Sequence, residues 1–265
     1  MIRKVIPCLV VLVLMAALLA SVTGCSGGCP GGIRGSGNLE TREMDFGNFT
    51  EVHASHAFNI EVTSGDSYQV SITVDDNLWD YLDVRQTGQT VYIGLKGMHF
   101  YTNVHLEADV TMPELRGLTL SGASRGEVSG FGSAEPLDIK LSGASSLNMD
   151  NLEAGNTKFE VSGASKASGS IEIADGDFQV SGAGTIELEG SANNVSVGAS
   201  GASRAKLADF PVNDATVDLS GASTATVNAS GTIDADLSGA SHLDYMGDAT
   251  LGSVETSGAS TINKK

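Results

Sequence analysis

Leu137-Asp138-Ile139-Lys140-Leu141-Ser142-Gly143-Ala144-Ser145-Ser146-Leu147-Asn148-Met149 is the stretch on which the fold turns. Leu137, Ile139 and Leu141 alternate with Asp138 and Lys140, and Leu147 and Met149 flank Asn148. Alternation with a period of two puts apolar side chains on one face of a strand and polar ones on the other. Between the two strands lies a Ser-Gly-Ala-Ser bend. Ser-Gly-Ala begins at Ser121, Ser142, Ser162, Ser181, Ser200, Ser220, Ser238 and Ser257, in steps of 21, 20, 19, 19, 20, 18 and 19 residues. Every copy continues to Ser except the fourth, where Gly184 stands.

The same alternation flanks the other copies. Phe159 and Val161 precede the third, Phe178 and Val180 the fourth, and Ala215, Val217 and Leu219 the sixth. A variable piece such as Asn151-Leu152-Glu153-Ala154-Gly155-Asn156, rich in turn formers, closes each period. Each period is therefore strand, bend, strand and loop. A repeat of this size that cannot bury its own apolar stripe is one coil of a stacked array. The expected fold is all-β: a parallel β-solenoid (β-helix-like) over residues 121–265, with coils of about 19 residues, preceded by a β-rich N-terminal section over 45–120. At roughly 4.8 Å per coil, eight coils make a rod of about 38 Å. Val161, Gly163, Ser165 and Ala167 share one parity, so the small residues of the bend are expected on its inner side. Stacked serine hydroxyls are expected to hydrogen-bond to neighbouring coils.

Before the repeats, Phe58-Asn59-Ile60-Glu61-Val62 and Tyr68-Gln69-Val70-Ser71-Ile72-Thr73-Val74 alternate around a turn at Ser64-Gly65-Asp66. Val91, Ile93 and Leu95 continue the pattern. These residues are expected to form the first coils or a cap over the raw sheet edge.

The N-terminus reads as an export signal over residues 1–24. Arg3 and Lys4 precede an apolar run from Val5 to Ala20, broken by Pro7, which ends in small residues. The run is short for a membrane span, which needs roughly 20 apolar residues. Val22-Thr23-Gly24-Cys25 resembles the bacterial lipobox. That resemblance implies cleavage before Cys25 and acylation of its thiol, two or three acyl chains giving a stable anchor. The Gly-rich residues 25–44 are expected to be a tether.

Gly35-Ser36-Gly37-Asn38, Phe46-Gly47-Asn48-Phe49, Phe58-Asn59-Ile60-Glu61-Val62, Val74-Asp75-Asp76-Asn77-Leu78 and the Ser-Gly-Ala-Ser series together resemble the head GIN domain family. That family is described as a "putative auto-transporter adhesin". The resemblance implies an exported, solenoid-like envelope protein, and it brings no catalytic residues with it. No translocator barrel follows the repeats, so anchoring by Cys25 is expected to take that role.

Composition narrows the function. Once Arg3 and Lys4 leave, the 15 basic residues fall to 13 against 32 acidic ones, a charge of about −19. That excludes nucleic acid as a natural partner and a polybasic membrane contact. Of three cysteines, Cys8 leaves with the signal and Cys25 is acylated; Cys29 then has no intramolecular partner, and the fold must stand on packing.

Several motifs invite a site and are read as structural. Gly122-Ala123-Ser124-Arg125-Gly126 matches the hydrolase nucleophile pattern, which requires a strand, an elbow and a helix; here it lies inside a repeat. His53 and His56 lack an evident third metal ligand, and His99, His105 and His242 are isolated, so all five are read as surface or packing residues. Asp75, Asp76, Asp80 and Asp83 lie near Trp79 and Tyr81 without calcium-loop spacing, which reads as an acidic turn beside core aromatics. The sequons at Asn48, Asn194 and Asn228 are read as incidental. No catalytic, metal or cofactor site is expected, and the ligand-binding residues are unknown from sequence. The expected protein is a lipid-anchored, non-enzymatic envelope protein facing the periplasm or the cell exterior. It touches the membrane through Cys25 and displays a solenoid to a surface protein or polysaccharide. The alternative is a carbohydrate-binding or polysaccharide-degrading β-helix protein.

Overall fold

The computed structural model describes residues 32–97 and 99–265. The export segment, Cys25 and Cys29 lie outside them. The repeats form the expected parallel β-solenoid. In each coil the strand before the bend joins one sheet and the strand after it joins a second. The first sheet runs from Gly117–Leu120 through Leu137–Leu141, Thr157–Val161, Asp175–Val180, Asn194–Ala199, Asp214–Leu219 and Thr232–Leu237 to Thr250–Thr256, every neighbour parallel. The second runs alongside from Arg125–Ser129 to Thr261–Lys264, also parallel.

Register stacks like on like. Leu118, Ile139, Phe159, Phe178, Val197 and Val217 form one inward column. Within the core, Phe178 lies edge-on between Phe159 at 5.4 Å and Phe210 at 6.0 Å. Burying one such side chain contributes about 1.5–3 kcal/mol, so the column rather than any single coil holds the stack together.

The bend keeps the expected parity at Val161, Ser165 and Ala167, which are buried, and departs from it at Gly163, which is exposed. The last serine of six of the tetrapeptides, such as Ser145 or Ser165, is buried, while the glycine and alanine before it face solvent. Gly143, Gly163, Gly182, Gly201, Gly221 and Gly239 all have φ between 69° and 78°, and this left-handed turn carries the glycine outward while the alternation resumes on the same parity. A second constraint comes from stacking. A Cβ on Gly163 would lie 2.4 Å from the Gly143 carbonyl oxygen. That oxygen accepts the Ala164 amide at 2.7 Å, and the same bond recurs from coil to coil around the corner. The buried serines bond as expected between coils, and also within their own bend. The Ser223 hydroxyl donates to Ser220 O at 2.9 Å and to Ala199 O of the preceding coil at 3.1 Å.

The N-terminal section is both coil and cap. Glu51–Ala54 and Asn59–Ser64 form a coil that stacks in parallel on Gly117–Leu120 and Arg125–Ser129. Thr90–Leu95 and Leu106–Met112 form the coil beyond it. The coil that comes first in the sequence is therefore second in space. Antiparallel strands then close the end: Leu82–Thr87 on the first sheet, Gln69–Asp75 and finally Leu39–Met44 on the second. The outermost of these carries Glu40, Arg42 and Glu43, charges that blunt an edge. This corrects the extent of the tether, since Leu39–Met44 is a strand and Ile33–Arg34 pairs with Tyr101–Thr102.

Candidate functional site

Because the coil at Glu51–Ala54 lies between Thr90–Leu95 and Gly117–Leu120, residues far apart in sequence share one row on the outer face. Arg85 pairs with Tyr92, Tyr92 with His53, His53 with Thr119, and Thr119 with Lys140. Beside this row is an open depression of about 280 Å³, lined among others by Ser55, His56, Asp83, Gly94 and Ser121. Gly94 supplies the space: a Cβ there would meet Ser55 Oγ at 2.4 Å and His56 Nδ1 at 3.2 Å.

The walls are held by their own contacts. The Arg85 guanidinium lies 4.4 Å from the Tyr92 ring centre, and His53 meets the same ring edge-on at 5.0 Å. Asp83 accepts from Arg85 at 2.5 Å. Burial holds the His53 imidazole below its ordinary value; Glu51 opposes that effect and Lys140 adds to it. His53 is therefore neutral at neutral pH.

His56 stands out by its backbone. It occupies the bend position that is glycine in the repeat coils, with φ at 72°, and Ala57 follows at 101°. A non-glycine residue there is strained by about 1–2 kcal/mol. Its Nδ1 accepts the Leu95 amide at 3.3 Å and lies 2.8 Å from Ser55 Oγ. A ring nitrogen that accepts an N–H carries no proton, so the neutral ring holds its proton on Nε2.

A second polar surface lies on the outer face of the other sheet. Asp109, Glu61 and Glu127 sit side by side on adjacent strands, near Glu107. Burial pushes the Asp109 carboxyl up and Glu107 pushes it further. Farther along the rod the charges alternate instead, with Glu187 between Lys166 at 2.9 Å and Lys206 at 3.3 Å. No group of three or more His, Cys, Asp or Glu is placed to hold a metal among the described residues.

The sequence candidates fall as follows. Ser124 is buried and its hydroxyl donates to Ser121 O at 2.9 Å, which makes it a bend-closing serine. Asp75 is buried and accepts the amides of Gly37 and His105, both at 2.7 Å, tying the cap together. Asp76 takes the Ser36 hydroxyl, and Asp83 pairs with Arg85. His99 packs against Tyr81 and Tyr101, His105 bonds Glu107, and His242 bonds Asp244. His53, His56 and Asp83 come together around the depression. Cys25 lies outside the described residues. Arg85, Tyr92, Gly94 and Thr119 were not singled out by sequence. One signal was available: Ala54-Ser55-His56-Ala57-Phe58 aligns with Leu120-Ser121-Gly122-Ala123-Ser124.

Comparison with known proteins agrees with this architecture. The family described as "Putative auto-transporter adhesin, head GIN domain" matches residues 48–249, well over half of the chain. A solved structure of a "putative adhesin" from Parabacteroides distasonis is similar over 88% of this chain and 99% of its own, with a TM-score of 0.79 and 18% identity. A "putative adhesin" from Parabacteroides merdae gives 0.77 at 17% identity, over 89% of this chain and 99% of its own. A "putative lipid binding protein" from Parabacteroides distasonis gives 0.76 at 22%, over 88% and 99%. At these identities the likeness shows the shared fold. No curated protein matches the sequence.

Proposed function

This chain belongs to the head GIN domain family, and we propose that it is a non-enzymatic adhesin displayed on a lipid anchor from the cell envelope. The observation that carries this reading is the stack itself. Eight near-identical bends, each bonded to the next through glycine carbonyls, make a stiff rod with polar outer faces. Such a rod suits holding a binding surface away from a membrane. In this proposal Cys25 carries the lipid, the glycine-rich residues before Ile33 act as the tether, and the solenoid projects into the periplasm or beyond the cell. The partner is a surface protein or a polysaccharide.

Two measurements test the proposal. Cells fed an alkyne-labelled fatty acid should incorporate it into the full chain and not into Cys25→Ala; label retained in the variant would remove the anchor. Beads coated with the chain should bind a cell surface or its extracted polysaccharide. Binding equal to that of uncoated beads would remove the adhesin reading.

A further inference from the structure

The depression around Gly94 has features that the repeat coils lack. It is walled by clamped side chains and sits beside the single bend where a strained histidine replaces glycine. Strain that persists in a fold is held there by its surroundings, and it gathers at binding sites. Resting on the adhesin reading above, we infer that this depression binds a neutral saccharide residue through His56, Thr119, Ser121 and the Asp83–Arg85 pair.

The chemistry of these groups argues for that class. A sugar presents neighbouring hydroxyls, each of which donates and accepts. Asp83 and Arg85 offer an acceptor and a donor side by side, already bonded to each other at 2.5 Å. The Thr119 and Ser121 hydroxyls serve either role. His56 Nε2–H has no partner among the described residues, because both of its contacts fall on Nδ1. The charges near the depression are paired, Arg85 with Asp83 and Lys140 with Glu160 at 3.4 Å. A chain with a formal charge of −17 repels an anion, so a neutral ligand fits better than an acidic one. At about 280 Å³ the space lies near the lower limit of small-molecule sites, about 300 Å³, and suits one ring at the end of a glycan.

His56→Gly is the informative variant. It removes the imidazole and restores the residue that the other bends use, so the fold should hold. Thr119→Val, isosteric and favourable in a strand, checks the site by a second route. The test is saturation-transfer NMR on the full chain in a zwitterionic detergent that carries no sugar. The probes are glucose, galactose, mannose and N-acetylglucosamine. At least one should receive transfer from the parent chain. Each variant should weaken it about ten-fold, as expected when one well-placed hydrogen bond is lost. The unfolding midpoint of His56→Gly should stay at or above that of the parent. No transfer to any of the four sugars, or transfer that survives both variants, overturns the inference. Coated beads that bind cells while the sugars fail would leave the adhesin reading standing without this site. Sugar binding without bead adhesion would do the reverse.

Discussion

The bend at Ser55-His56-Ala57-Phe58 and the bend at Ser162-Gly163-Ala164-Ser165 occupy the same corner on two coils of one solenoid, but Ala57 takes a left-handed φ that Ala164 does not. The second is built to repeat. Gly163 takes φ at 70° without strain, leaves room for the carbonyl below, and Ser165 closes the bend from inside. The first breaks each of those rules. His56 and Ala57 are strained, and the buried Phe58 stands where the closing serine would be. The bend is tolerated because it lies near the end of the stack, where Thr90–Leu95 replaces a Ser-Gly-Ala coil as its neighbour. The difference separates two jobs. Repeating coils provide stability, and the exceptional coil places polar side chains beside a hollow.

Changes in the repeating region should therefore affect stability far more than they affect binding. Phe178→Ala should have the largest effect, removing the middle ring of a buried trio and costing about 3–5 kcal/mol by denaturant unfolding. A value below about 1 kcal/mol would mean that the column does not hold the stack. Ser223→Ala removes a hydroxyl that reaches two carbonyls and should cost about 1 kcal/mol. Sugar binding should be unchanged in both.

Acid should act at the end of the rod remote from the cap. Burial pushes the Asp244 carboxyl up, but Lys265 and His242 outweigh it and hold it below its ordinary value. A lowered folded-state value means that its contribution is present above the unfolded value, near pH 4, and is lost as pH falls further. Amide exchange in Thr261–Lys264 should therefore speed up below about pH 4 ahead of exchange in Thr157–Val161, and Asp244→Asn should remove that extra acid response. The smallest effect concerns the one irregular repeat. A Cβ on Gly184 would sit 3.1 Å from Ser181 O, Val161 O and Val180 Cγ1, so Gly184→Ser restores the closing hydroxyl while small shifts relieve three tight contacts. It should change stability by under about 1 kcal/mol, in contrast to substitution in the left-handed glycine column.

The solenoid was legible because its cause repeats. Leu137, Ile139 and Leu141 alternate, and Gly143 recurs wherever the chain must turn left-handed. The cap was only half legible. Alternation in Gln69–Asp75 announces a strand but not that it pairs antiparallel with Leu106–Met112. Leu39–Met44 was hidden in a glycine-rich stretch, since a charged edge strand looks like a linker. The candidate site was not legible as a site. Arg85, Tyr92, His53 and Thr119 meet only because the coil at Glu51–Ala54 is placed out of sequence order between two others. Long-range pairing of that kind leaves no local periodicity to read. Ser124 matches a nucleophile pattern but reads as structural from its place in the repeat, and its burial agrees with that reading.

The most direct test of this division of labour is a reciprocal exchange followed by thermal unfolding. His56→Gly and Gly163→His move the same side chain in opposite directions between two equivalent bends. The account predicts that His56→Gly keeps or raises the unfolding midpoint. Gly163→His should drive a Cβ toward the Gly143 carbonyl, 2.4 Å away, and lower stability by about 3 kcal/mol or more. Equal losses in the two variants would contradict it, because His56 would then be as structural as the glycines it replaces.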